Sequence, residues 1–246
     1  MINQNIMNNQ KKKLEGKVAV ITGASGSIGS AVSLKFAEEG ATIIGISRDK
    51  KLLLRLDDKI KIISNRNMII VNEDLTKPEM IETIGQAIQN RFGKIDILVS
   101  TAAITGNLSP VSHITDNDWN SVFAINLLSN FNLLKTFDKL FRHSKKAHLI
   151  FTTCRQSSLP KPFWGAYGAS KAALEQLVKI YAKEMEDTTV FTNLIDPGPV
   201  SSKLRRNVFP GENPELLSNA IDIVDHYLEL AQDSCKRNGE LIIVKK

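Results

Sequence analysis

Seven short runs of apolar, largely β-branched residues recur along the chain, and most are separated by longer segments of helical period. The runs are residues 17–22 (KVAVIT), 41–46, 67–71, 95–99, 148–152, 189–195 and 241–244. They are apolar nearly throughout rather than alternating, which is the pattern of strands buried on both faces. Parallel strands need crossover connections, and the intervening helical segments supply them at residues 28–40, 50–59, 77–91, 116–142, 167–186 and 214–231. The pattern predicts an α/β fold with a seven-stranded parallel sheet and helices on both faces. Thr115-x-x-Asp118 offers an acidic variant of the capping box at the start of the longest helix.

The 246 residues suit one large α/β domain, and no repeat, linker or composition shift divides them. Residues 1–14 form a polar leader without an acid, expected to be a disordered tail, and residues 15–246 a single domain. The leader's Lys11, Lys12 and Lys13 account for half of the net charge of +6. Charges of both signs are scattered elsewhere, without the dense basic stripe a nucleic-acid binder needs. No apolar run approaches the roughly 20 residues of a membrane span, and the start is too polar for a signal peptide. Cys154 and Cys235 form no CxxC pair, which points to a reducing compartment, so a cytoplasmic protein is expected. His113, His143, His148 and His226 lack metal-ligand spacing, and no metal is expected.

The first strand runs directly into Thr22-Gly23-Ala24-Ser25-Gly26-Ser27-Ile28-Gly29 and then a helix. Glycines there let the backbone turn tightly and approach a pyrophosphate held on the free N–H groups of a helix N-terminus. The strand-turn-helix setting is the one a dinucleotide site requires, so the sheet is expected to be doubly wound and Rossmann-type. At the end of the second strand stand Ser47, Arg48 and Asp49. Ser47 and Arg48 suit a ribose 2′-phosphate and favour NADP; the other reading, with Asp49 on a free 2′-hydroxyl, favours NAD.

Tyr167 and Lys171 are four apart at the head of a helix and share one face. An ammonium about 4 Å from the phenol at an effective dielectric of 20 contributes roughly 4 kcal/mol, about three pKa units. That would bring the phenol from about 10 toward physiological pH, where it exchanges protons with a substrate hydroxyl most effectively.

These residues resemble the short-chain dehydrogenase/reductase superfamily over residues 16–244. Besides TGASGSIG and YGASK, the resemblance includes Asp74-Leu75, the stretch 119–126 (WNSVFAIN) and the loop 196–202 (DPGPVSS). Within the superfamily the chain is similar to the bacterial 3-oxoacyl-[acyl-carrier-protein] reductase type and to a branch of uncharacterised oxidoreductases with a WGAYxASK helix. The resemblance implies hydride transfer between a nicotinamide and a small carbonyl or alcohol substrate, with a 3-oxoacyl thioester as one candidate. Tyr167 is then the proton donor or base, Lys171 lowers its pKa and holds the nicotinamide ribose, and Asn126 supports a proton-relay water. NADP is then held by Gly23, Ser25, Gly26, Ser27, Ile28, Gly29, Ser47 and Arg48, by Asp74 and Leu75 at the adenine, by Ala102, and by Pro197, Gly198, Val200 and Ser202 beside the nicotinamide. Subunits of the superfamily pair through the helices carrying Asn126 and Tyr167, implying a homodimer or homotetramer.

Three positions depart from the superfamily's pattern. The hydroxyl that polarises the substrate carbonyl, 13 residues before the tyrosine, is here Cys154, a weaker donor, with Thr153 beside it. Either Thr153 takes over, or turnover is slow, or the protein binds NADP without turnover. Ser100-Thr101-Ala102-Ala103 replaces the usual Asn-Asn-Ala-Gly, and Ser27 replaces a glycine. Cys154 could itself be redox-sensitive if Lys171 and Arg155 lowered its pKa; inert substitution is the plainer reading. Substrate choice falls to residues 201–219, where Arg205 and Arg206 either meet an anionic group or form a solvated pair. Phe163 and Trp164 either line a substrate pocket or pack the loop.

Overall fold

The structure, a computed structural model, describes residues 12–245. Seven strands form one sheet: β1 (Val18–Thr22), β2 (Thr42–Ile46), β3 (Ile69–Val71), β4 (Ile97–Ser100), β5 (Ala147–Thr152), β6 (Val190–Asp196) and β7 (Leu241–Ile243). Their order is β3-β2-β1-β4-β5-β6-β7, and every neighbouring pair is parallel. The chain winds outward from β1 in one direction and from β4 in the other, so a crevice opens between the carboxyl ends of β1 and β4. This is the seven-stranded parallel sheet expected from the apolar runs, doubly wound and Rossmann-type as the glycine-rich strand-turn-helix implied.

Helices α1 (Ser27–Glu38), α2 (Lys50–Ser64) and α8 (Ala220–Ala231) pack on one face, and α3 (Pro78–Phe92), α5 (Ser129–Arg142) and α6 (Gly165–Glu184) on the other. Successive strand residues serve the two cores in turn: Ala19 and Ile21 meet Phe36 and Tyr227, and Val18 and Val20 join the cluster of Ile84, Phe137 and Val178. Such two-sided burial is why the strands read as unbroken apolar runs. Each fully buried side chain of this kind contributes roughly 1.5–3 kcal/mol relative to exposure.

The predicted helix at 116–142 is divided. It consists of α4 (Asp116–Phe123), a π-helical turn (Ala124–Leu128) and α5. Thr115 caps α4 by accepting the Asp118 N–H at 3.1 Å. The helix expected from 214 begins instead at Ala220, where Asn219 and Asp222 form a reciprocal capping box, because Pro214–Leu216 closes into a 3-10 turn first. A six-residue helix, α7 (Lys203–Val208), was not expected and starts on a Ser202 cap. Most of the leader, residues 1–11, lies outside the described residues. Its last residue does not behave as a tail: Leu14 is buried in the core and donates its N–H to the Glu39 carbonyl at 2.9 Å.

Candidate active site

One cleft of about 1240 Å³ runs along the carboxyl ends of the strands. That exceeds the roughly 300–1,000 Å³ of ordinary small-ligand pockets and leaves room for a dinucleotide with a second molecule. Every residue expected to hold NADP lines it, as do Tyr167, Lys171, Thr153 and Cys154. Asn126 is the exception.

The cradle at the head of β1 depends on glycine. Gly23 has φ +66°, and a Cβ there would lie 2.8 Å from the Ala102 nitrogen. At Gly29 a Cβ would meet the Gly23 carbonyl oxygen at 2.3 Å. Gly26 precedes α1 and brings no side-chain cap, so the first-turn N–H groups stay available to an anion. The chemistry of this cradle, glycine backbone and free N–H groups at a helix N-terminus, fits a dinucleotide's pyrophosphate, with Ser27 at the first helical position.

Beside it, the Ser25 and Ser47 hydroxyls are 2.5 Å apart and Arg48 lines the wall. Asp49 turns away. Its carboxylate accepts the Leu52 N–H at 3.0 Å as the N-cap of α2, and it does not line the cleft. The donor set at this corner therefore suits a phosphate better than a free hydroxyl. Asp74 is held below the usual carboxylate range by the Thr76 N–H and hydroxyl that it accepts, with Arg48 adding its charge. The substitutions at 100–103 keep the β4 end in place: Ser100 donates to Asn130 Oδ1 at 2.6 Å and Thr101 to the Thr22 carbonyl at 2.7 Å.

At the opposite end Tyr167 and Lys171 project from α6 and are both buried. The Lys171 ammonium donates to the Thr152 carbonyl at 2.8 Å and lies 5.9 Å from the centre of the Tyr167 ring. The expectation of a phenol tuned toward physiological pH is therefore corrected. Burial, reinforced by the Cys154 sulfur, pushes Tyr167 well above its usual value. Burial likewise lowers Lys171 to about 8, against the partial support of Cys154 and Glu175.

The Thr153 hydroxyl, next to the position of the missing serine, is already engaged as a donor. It donates to Glu175 Oε1 at 2.7 Å, and Ser157 Oγ meets the same oxygen. Cys154 stays beside Tyr167 with its thiol raised, chiefly by burial, contrary to the lowered value a redox-sensitive thiol needs. Glu175, buried one turn after Lys171, is the residue sequence reading missed. A carboxylate at that spacing on a core-facing helix was the only local signal of it.

Asn126 sits in the π-helical turn, a distortion that often marks functional positions. Its amide accepts the Ile104 N–H at 3.0 Å and donates to the Ile104 carbonyl at 2.9 Å and Ser170 Oγ at 3.0 Å. It thus acts on the site by fixing the loop after β4 against α6.

The two aromatic residues before Tyr167 divide. Trp164 lines the cleft edge-on to Tyr167, with ring centroids 5.6 Å apart, and Phe209 lies 5.9 Å beyond it. Phe163 points outward, more than half exposed, and carries a left-handed φ of +74°, a strained conformation for an aromatic residue. Arg205 is no anion receptor, because it is bound twice by Glu212, at 2.6 Å each, and Arg206 is exposed outside the cleft. Among the described residues no cluster of metal-ligating side chains occurs.

Known proteins resemble this chain in sequence and in fold. Residues 17–213 match the pattern described as short chain dehydrogenase. The chain is 28% identical over 226 residues to the uncharacterized oxidoreductase YciK of Escherichia coli (strain K12), covering 91% of this chain and 89% of that protein. It is 30% identical over 220 residues to an NADPH-dependent aldehyde reductase-like protein of Arabidopsis thaliana chloroplasts, covering 83% and 78%. A short chain dehydrogenase of Shigella flexneri crystallised with NADP superposes with a TM-score of 0.91 at 28% identity, over 95% of this chain and 99% of that one. With the doubly wound sheet, the glycine cradle and the Tyr167–Lys171 pair in one cleft, the match over residues 17–213 makes this chain a member of the short-chain dehydrogenase family.

Proposed function

We propose that the protein is an NADP-dependent oxidoreductase that moves a hydride between the nicotinamide and a carbonyl or alcohol group. The observation that carries this reading is the convergence of Tyr167 and Lys171 at one end of a cleft whose other end is a phosphate cradle. NADP is favoured over NAD because Ser47 and Arg48 face the cleft while Asp49 is committed to capping α2. The relatives crystallised with NADP or named for NADPH agree.

When bound, NADPH supplies the hydride. In reduction, Tyr167 Oη holds its proton at neutral pH because burial keeps the phenol neutral, and releases it to the developing alkoxide. Lys171 is positively charged below about pH 8 and offsets the phenolate left behind until solvent returns the proton. Trp164 and Phe209 give the substrate an apolar wall beside Tyr167. Short 3-oxoacyl thioesters are the first substrates to test. Subunit pairing through α5 and α6 belongs to the same proposal, since Phe131 on α5, Ile180 on α6 and Leu128 in the π-helical turn just before α5 are about half exposed.

A second reading, NADP binding with impaired turnover, is favoured by one observation: no free hydroxyl replaces the serine, because Thr153 is bound to Glu175. Restoring the donor tests it. Cys154→Ser is expected to raise kcat for NADPH-dependent carbonyl reduction by about 10²-fold, the usual worth of a carbonyl-polarising donor. An unchanged rate would show that the native site needs no hydroxyl at that position.

A further inference from the structure

The two segments that roof the catalytic end, 153–157 and 200–209, contribute three cations to the cleft wall, Arg155, Lys203 and Arg205, and no carboxylate. Arg205 is neutralised by Glu212 and laid over the Phe209 ring at 4.5 Å. Lys203 follows directly on Ser202, in the loop assigned above to the nicotinamide side. Arg155 differs from both. It is the residue after Cys154, and its backbone is fixed in a 3-10 turn, where its carbonyl accepts the Leu159 N–H at 2.9 Å. Its guanidinium has no ion pair or hydrogen-bond acceptor among the described residues. Ile104, Trp164, Val208 and Phe209 give that end its apolar wall, with Thr105, Gln156 and Asn207 as neutral polar neighbours and Asp196 as its carboxylate.

We propose that Arg155 is an anion subsite of the substrate pocket, and that the substrate is a carbonyl compound carrying a carboxylate or phosphate on a largely apolar body. This rests on the reductase reading of the same cleft. A guanidinium presents paired donors that match an oxyanion, and it stays charged at every working pH. Arg155 is an exposed residue of that wall, so its unpaired guanidinium is open to an anion entering from solvent. Arg155 is thereby the residue that selects acidic over neutral carbonyls, the part that Arg205 cannot play.

The test compares levulinate with its methyl ester, and hydroxyacetone phosphate with hydroxyacetone, by NADPH oxidation and by saturation-transfer NMR on the NADP⁺-loaded protein. The anionic member of a pair is expected to be favoured in kcat/KM by about 5- to 10-fold, between the worth of an exposed ion pair and that of a charged hydrogen bond. Arg155→Gln is expected to bring that ratio close to one, and Arg206→Gln to leave it as it is. The two pairs separate a carboxylate from a phosphate preference. A ratio near one in the natural protein, or one that Arg155→Gln does not change, would overturn the proposal. If no member of either pair and no short 3-oxoacyl thioester is turned over but the NMR signal of the anion depends on Arg155, the subsite stands and the reductase reading fails. If both members are reduced equally, the reductase reading stands and the subsite fails.

Discussion

Cys154 and Glu175 reshape what Tyr167 and Lys171 can do. The thiol is a weak donor beside a buried phenol, and the carboxylate occupies the neighbouring hydroxyls while facing the ammonium. Lys171 titrates near 8, in the presence of Cys154, Tyr167 and Glu175, so the reduction rate is expected to be flat at neutral pH and to fall above about 8 as the ammonium is lost. Glu175→Gln keeps an acceptor for Thr153 but removes the charge that favours the ammonium. It is expected to move this alkaline limb to lower pH; a pH profile of kcat/KM identical to that of the natural protein would contradict the electrostatic role. The sequence made Tyr167, Lys171 and the glycine loop readable, because their chemistry is carried by fixed local spacing. It could not show that Thr153 is bound to Glu175, 22 positions away, or Arg205 to Glu212 across a turn, since those partners are chosen by the folded surface.

The strands were the most readable elements, because burial on both faces imposes an unbroken apolar run that no surface segment imitates. Helix 116–142 was readable as a whole but not in its division, since the π-helical turn keeps an apolar face and announces itself by no residue type. Helix α7 was invisible because six residues give too little periodicity. One feature of β5 has a measurable consequence for stability. His148 is 1% exposed, stacks on Phe191 at 5.4 Å, and neither ring nitrogen has a hydrogen-bond partner. Burial, with the Lys146 charge, lowers it to about 4 from an ordinary 6.5. The unfolded chain therefore binds this proton first as pH falls. The stability present above pH 6.5 is lost on descending to about 4, by roughly 3 kcal/mol in all. Urea unfolding across this range is expected to show that loss, and His148→Leu to remove most of its slope. An unchanged slope in the variant would assign the acid sensitivity elsewhere.

At the scale of the molecule, the order of the strands places every piece of the site. Because β1 and β4 are neighbours and the chain departs from them in opposite directions, the glycine loop, the Ala102 segment and the Tyr167 helix all arrive at one crevice. The half-exposed Leu128, Phe131 and Ile180 are apolar surface that a second subunit would cover. Phe131→Glu is expected to convert a dimer or tetramer to monomer in sedimentation velocity, and a natural protein that is already monomeric would contradict the pairing. The central claim, that Tyr167 delivers the proton of an NADPH-dependent reduction, is tested most directly by following NADPH oxidation with a carbonyl substrate in the natural protein and in Tyr167→Phe, with NADPH binding measured in both. The account predicts that both bind NADPH and that the variant loses about 10²-fold or more in rate; equal rates in the two would contradict it.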